Sequence, residues 1–221
     1  MDYAVCEDLI KDFMQTRLAA MGEQESGFYN YYAYLIRQNR GFVHYDRPIV
    51  EFLAKLPRAK RYIDVGAGIG QLSVLLACHG MTAIAVEGDS KRAMAAGALQ
   101  DRIRTADADM ASRLSFVKCW FPAPAVPVDR DSILIFTNVI TDLSDRIEQP
   151  MLEACSEAGG VVVDLVRFTR ARSSVERWND LTSRFRRQGF SDPVDIYSWG
   201  APREAEPAST DPGKIVFFQK V

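Results

Sequence analysis

The chain has 221 residues, 48% hydrophobic and 25% charged, and a formal net charge of −2. That length suits one compact unit with one sizeable core, and the composition excludes a fibre or a disordered tail. The near-balanced charge excludes a broad electrostatic footprint for nucleic acid, and the local run Arg184, Arg186 and Arg187 reads as a solvated helix face.

In chain order, helical patterns run from Tyr3 to Ala20, from Phe28 to Asn39 and from Pro48 to Leu56. They predict an added N-terminal helical layer, residues 1–60, too small to be a domain alone. From residue 61 short β-branched runs alternate with longer helical patterns, the signature of βαβ units around a parallel sheet. The strand candidates are Arg61 to Val65, Thr82 to Glu87, Leu114 to Lys118, Ser132 to Thr137 and Val161 to Val166. Helices are expected from Gln71 to His79, with Gly80 as a left-handed cap, from Ser90 to Ala108, from Asp145 to Glu157, and from Ser173 to Gln188, ending at Gly189. Pro122, Pro124 and Pro127 make Phe121 to Arg130 a loop. Val194 to Trp199 and Lys214 to Lys220 are two last strand candidates, separated by a loop from Ala201 to Gly213.

Cys6, Cys78, Cys119 and Cys155 are scattered, without C-x-x-C pairing, in stretches that read as buried helix or strand; free thiols are expected. The chain starts Met1-Asp2-Tyr3, with an acid where a basic leader would be, and no apolar stretch reaches the length of a membrane span, so a cytoplasmic protein is expected.

The strongest local signal is Tyr62-Ile63-Asp64-Val65-Gly66-Ala67-Gly68-Ile69-Gly70-Gln71, an apolar strand running into glycines and then a helix. Gly66 and Gly68 allow a tight turn and close backbone approach to a ligand, and Gly70 allows the helix to pack near the sheet. Glu87 closes the second strand seventeen positions beyond Gly70, where a carboxylate suits both hydroxyls of a ribose. A dinucleotide fingerprint needs a glycine at position 71, which is Gln71. Asp64, two residues before the first glycine, is badly placed for a pyrophosphate and well placed for an amino group or cation.

With this acid followed by G-x-G-x-G, the sequence resembles the class I S-adenosylmethionine-dependent methyltransferases. The ordering of elements agrees over residues 61–221, while the residue-level match lies between Tyr62 and Asp89. The resemblance implies an α/β fold: a Rossmann-like, doubly wound, seven-stranded, mostly parallel sheet closed by an antiparallel C-terminal hairpin. It implies that Gly66, Ala67 and Gly68 line the methionine part of S-adenosylmethionine, that Asp64 holds its amino end, and that Glu87 holds the ribose. Gly70, Gln71, Gly88, Cys119 and Thr137 flank these positions and complete the expected cofactor contacts. S-adenosylhomocysteine would be the product, and no metal is expected. One feature departs from the family: the third strand often ends in an Asp that touches adenine, and the corresponding slot is Trp120. Its indole either stacks on adenine or anchors a loop.

The acceptor side is less legible. Asn138 and Asp142 follow the fourth strand and either orient an acceptor or cap the next helix, the reading preferred for Ser144 and Asp145. His44, in a loop, is a candidate base, whereas His79 in a helix is expected to pack. The tyrosine-rich stretch Phe28 to Tyr34 either closes over the site or forms an amphipathic stripe. The Asn-Pro-Pro-aromatic motif of enzymes that methylate planar amino groups is absent, and a small-molecule acceptor is favoured. Methylation of protein or RNA, a non-catalytic S-adenosylmethionine-binding partner subunit, and a nicotinamide-dependent oxidoreductase are the rivals.

Overall fold

A computed structural model describes residues 3–20, 46–57, 59, 61–137, 145–164, 174–196 and 215–221. The N-terminal layer contributes α1 (Tyr3–Ala20) and α2 (Asp46–Leu53). Then follow β1 (Arg61–Val65), α3 (Gln71–Cys78), β2 (Ala83–Glu87), α4 (Ser90–Ala106), α5 (Ala108–Ser112), β3 (Leu114–Lys118), β4 (Ser132–Phe136), α6 (Asp145–Cys155), β5 (Gly160–Asp164), α7 (Ser174–Arg187), β6 (Val194–Asp195) and β7 (Ile215–Gln219). Among the described residues no helix is long and apolar enough to cross a membrane.

The seven strands form one sheet in the order β3-β2-β1-β4-β5-β7-β6. β1 pairs in parallel with both β2 and β4, and only β7 runs against its neighbours β5 and β6. The chain thus winds outward from β1 in one direction, returns, and winds outward from β4 in the other. The reversal leaves a crevice beyond the carboxyl ends of β1 and β4, where open α/β sheets bind ligands. This is the expected doubly wound sheet with its C-terminal antiparallel hairpin.

Alternation along the strands sorts the core into two layers. Tyr62, Ile133, Ile135, Val162, Ile215 and Phe217 face the layer that holds α1 to α5, including Ile10, Met14, Leu53, Leu75 and Leu99. Ile63, Leu134, Phe136, Val161, Val216 and Phe218 face Leu152 of α6 and Leu181 and Phe185 of α7. Cys6, Ile10, Phe13 and Met14 of α1 sit in the same cluster as the sheet residues Tyr62 and Ile135.

The predicted stops hold. Gly80 has φ 77°, and the Gly80 and Met81 amides donate to the carbonyls of Ala77 and Leu76, both at 3.0 Å, closing α3 with a Schellman turn. The helix expected from Ser90 to Ala108 ends at Ala106, and a short further helix, α5, follows it, because Asp107 adopts extended backbone (φ −156°, ψ 93°) and caps α5 by accepting from the Met110 amide. A short polar side chain that can cap competes with helix continuation. Strand ends shift slightly: β5 spans Gly160–Asp164 and β6 only Val194–Asp195, while residues 165–166, 197–199 and 214 lie outside the described residues.

All four cysteines are free; Cys6 and Cys155 are buried, Cys78 and Cys119 half-buried. Arg184 and Arg186 are paired with Asp180 and Asp192 at 3.0 and 2.7 Å, in keeping with a solvated face.

Gly159 marks the tightest backbone approach. A Cβ there would lie 2.1 Å from the carbonyl oxygen of Arg130, a backbone atom fixed beside β4. Gly159→Ala is therefore expected to cost about 1–3 kcal/mol of stability, as forced overpacking does, read as a lower urea midpoint at unchanged slope.

Candidate functional site

β1 ends at Val65 and the chain turns through Gly66, Ala67, Gly68, Ile69 and Gly70 before α3 begins at Gln71. Gly66, Gly68 and Gly70 have φ of 69°, 61° and 81°, a left-handed region that L side chains rarely adopt. The turn is stitched to the neighbouring strand: the amides of Gly66 and Ala67 donate to the Val86 carbonyl at 2.8 and 3.0 Å, and the Gly70 amide donates to Ala67 at 2.8 Å. Gly70 owes its identity to this conformation and not to close packing, since a Cβ there would meet Ala85 at an ordinary 3.8 Å.

Glu87, the last residue of β2, lies buried beside the turn. One carboxylate oxygen accepts from the Gly68 amide at 2.9 Å and the other from the Asp89 amide at 2.8 Å. Asp89 in turn caps α4, accepting from the amides of Lys91 and Arg92, both at 3.0 Å. A single acid thus ties the glycine turn of β1 to the turn that follows β2.

Asp64 is buried near the end of β1 and accepts from Ser73 Oγ at 2.9 Å. Ser73 is the third residue of α3, and its backbone amide also favours the ionised carboxylate. Gly70 at the start of α3 offers no side-chain cap, so Asp64 supplies one from the neighbouring strand. The negative end of this arrangement is thus already at the helix N-terminus, where α/β folds that bind dinucleotides receive a phosphate.

The sequence pattern does not reveal a third acid. Asp46 begins α2, is buried, and accepts from Gln71 Nε2 at 2.7 Å. An Asp two residues before Pro48 at a helix start has the sequence appearance of an ordinary cap, and the pattern-based start at Pro48 falls two residues inside the observed helix. Burial raises the Asp46 carboxyl to about 7, helped by the charge of Asp64 and opposed by the Gln71 hydrogen bond. Burial also raises Asp64 to about 7, opposed by the bonds from Ser73 and reinforced by the charge of Glu87. Gln71 Oε1 is buried with no hydrogen-bond partner among the described residues.

Directly after β2, Gly88 sits beneath Trp120. A Cβ at position 88 would lie 2.3–2.7 Å from ring atoms of the indole, so only glycine leaves room for it. The outer face of the indole is open, with Trp120 77% exposed. Cys119 beside it is half-buried, and burial pushes its thiol up. Thr137 follows β4 directly and is half-buried. The structure therefore gathers Asp64, the glycine turn, Gln71, Glu87, Gly88 and Trp120 along the carboxyl ends of β1 to β3, with Thr137 following β4. His44, Asn138, Asp142 and the tyrosine stretch lie outside the described residues. His79, expected to pack inside a helix, is instead the exposed C-cap residue of α3, with its ring edge-on to Tyr3 at 5.6 Å.

Neither a protein-family model nor a curated protein matches the chain. Solved structures do. A TehB-like S-adenosylmethionine-dependent methyltransferase from Corynebacterium glutamicum superposes with a TM-score of 0.60 at 16% identity, over 90% of this chain and 98% of that one. The methyltransferase domain of bacterial CtHen1 gives 0.57 at 17% identity, over 79% and 96%. The glycopeptide N-methyltransferase MtfA in complex with S-adenosylmethionine gives 0.54 at 13% identity, over 78% and 86%. The chain has the class I S-adenosylmethionine-dependent methyltransferase fold.

The buried acids set a pH dependence. Folded Asp46 keeps its proton up to about pH 7, whereas the unfolded chain releases it near 4. Stability therefore falls as pH rises from about 4 to 7, and the full penalty is present above that. Asp46→Asn is expected to raise the melting temperature more at pH 8 than at pH 5, at about 2–4 °C for each kcal/mol relieved. Thermal melts at the two pH values measure it.

Proposed function

We propose that the chain binds S-adenosylmethionine across the carboxyl ends of β1, β2 and β3 and transfers its methyl group to a small-molecule acceptor. The observation that carries this reading is the acid-lined start of α3. Asp64, which accepts from Ser73 Oγ at 2.9 Å, and Asp46, which accepts from Gln71 Nε2 at 2.7 Å, put acids at the helix start that a pyrophosphate would need. When ionised, these acids in a poorly solvated site repel a pyrophosphate. A nucleoside that carries a sulfonium and an ammonium in place of phosphates meets the opposite field.

The residues divide the work by their chemistry. Gly66, Ala67 and Gly68 present backbone along the methionine part, with no Cβ at either glycine to hold a ligand off. Asp64 attracts the amino end. Glu87 already spends one lone pair of each oxygen on the amides of Gly68 and Asp89, and the second lone pair of each is suited to the two ribose hydroxyls. Trp120, lying on Gly88 with its outer face open, offers adenine a flat apolar surface. Gly70, Gln71, Gly88, Cys119 and Thr137 shape the walls. When bound, the sulfonium supplies a methyl group already activated for in-line displacement. The protein's task is then to align the acceptor and keep water out. His44, Asn138 and Asp142 remain the candidates to orient an acceptor or take its proton.

Calorimetric titration with S-adenosylmethionine, S-adenosylhomocysteine and NAD tests the donor side. Both sulfur nucleosides are expected to bind and NAD to fail. Gly68→Asp, which strains the turn and adds a charge, should abolish binding, and Glu87→Gln should weaken it by about 10- to 100-fold, the worth of charge-assisted hydrogen bonds. Binding of NAD alone would overturn the reading. Transfer of a labelled methyl group to the small-molecule fraction of a cell extract, and not to its protein or RNA, tests the acceptor class.

A further inference from the structure

Asp46 stands apart from the motif. It lies eighteen residues before Asp64, on the helical layer, yet its carboxylate is 4% exposed and reaches the first residue of α3. Its position is not adjustable: Ile49, Val50, Phe52 and Leu53 of the same short helix are all buried. Asp64, 2% exposed, is near enough for its charge to act on Asp46. Among the described residues no Lys, Arg or His is paired with either acid.

The hydrogen-bond inventory is lopsided. Asp46 accepts from Gln71 Nε2, and Asp64 from Ser73. Gln71 Oε1, bonded to the same carbon as the nitrogen that holds Asp46, is buried with no hydrogen-bond partner among the described residues. An unsatisfied buried carbonyl costs free energy on its own, and two buried carboxyls cost more once ionised without a cation, which is why burial raises both to about 7. With both acids ionised, the cluster lacks donors and positive charge among the described residues.

We propose that Asp46 is a ligand-binding residue which, with Asp64 and Gln71 Oε1, forms a seat for a primary ammonium group, the amino end of the bound sulfur nucleoside. An ammonium carries three donors and no acceptor, which matches two carboxylates and one amide oxygen group for group. A neutral water could satisfy the carbonyl but would leave the charge of the acids uncompensated. The helical layer then does more than cover the sheet: α2 delivers one wall of the donor site, and Gln71 bridges that wall to the glycine turn. The proposal rests on the donor reading given above.

The test is calorimetric titration of the full chain, wild type and Asp46→Asn, with two probes: S-adenosylhomocysteine and its deamino analogue, 4-(adenosylthio)butyrate. Asparagine keeps the shape and removes the charge. The variant is expected to bind S-adenosylhomocysteine about 10- to 100-fold more weakly than wild type does, and the deamino analogue with unchanged affinity, which also shows that the pocket is intact. Equal weakening for both probes would mean that Asp46 only supports the fold, and no weakening for either would mean that it does not meet the ammonium; both overturn the proposal while leaving the donor reading in place. If wild type binds neither probe, the donor reading fails and this one with it. Gln71→Met, which keeps the length and removes the orphaned oxygen, is an independent check and should weaken only the probe that has the amino group.

Discussion

The bidentate grip of Glu87 on two backbone amides holds the site together. Gly68 belongs to the turn after β1 and Asp89 to the turn after β2, and the carboxylate between them fixes one against the other at 2.9 and 2.8 Å. The consequences spread outward. Asp89 is placed to cap α4, Gly88 is held flat beneath the indole of Trp120, and the glycine turn is set at a fixed height above the sheet. The parallel pairing of β1 with β2, Val65 opposite Val86, is what brings the two turns within reach of one side chain.

A second constraint is the accumulation of negative charge in a place that excludes water. Asp46, Asp64 and Glu87 are each no more than 4% exposed. Natural proteins rarely bury carboxylates without function or a partner. Here the helix that starts at Gln71 provides part of the compensation through its free amides, and Ser73 and Gln71 provide a further part. The remainder defines what kind of molecule the crevice can receive, because a site that is short of donors and cations selects a ligand that brings them.

Much of this was legible in the amino-acid order, for a physical reason. Strand, glycine turn and helix are contiguous, so Asp64 to Gln71 appear as one motif, and Glu87 sits at a spacing that the β1-α3-β2 unit imposes. The unbroken apolar runs of β4 and β7 likewise fit a sheet buried on both faces. What stayed hidden depended on contacts between distant segments. Asp46 resembles a helix cap until the packing of α2 against α3 shows it buried against Gln71. The short α5 has no signature of its own in the sequence because Ser90 to Ser112 is helical in composition throughout, and only the local choice of Asp107 to cap Met110 divides it. That Trp120 lies over Gly88 depends on the parallel register of β2 and β3, with Glu87 opposite Lys118, which no local pattern encodes.

The margins of the sheet have a consequence of their own. A strand with one unpaired side is a template for another chain, and long, flat, apolar margins invite aggregation. At one margin β6 is only two residues, Val194 and Asp195. At the other, β3 ends in the exposed Lys118, has Ser115 exposed at its second position, and gives way to a proline-rich turn beginning at Phe121. The most apolar strands, β4 and β5, are in the interior of the order, each with a partner on both sides. The arrangement that opens a crevice for a ligand therefore leaves little backbone exposed for an unintended neighbour to pair with.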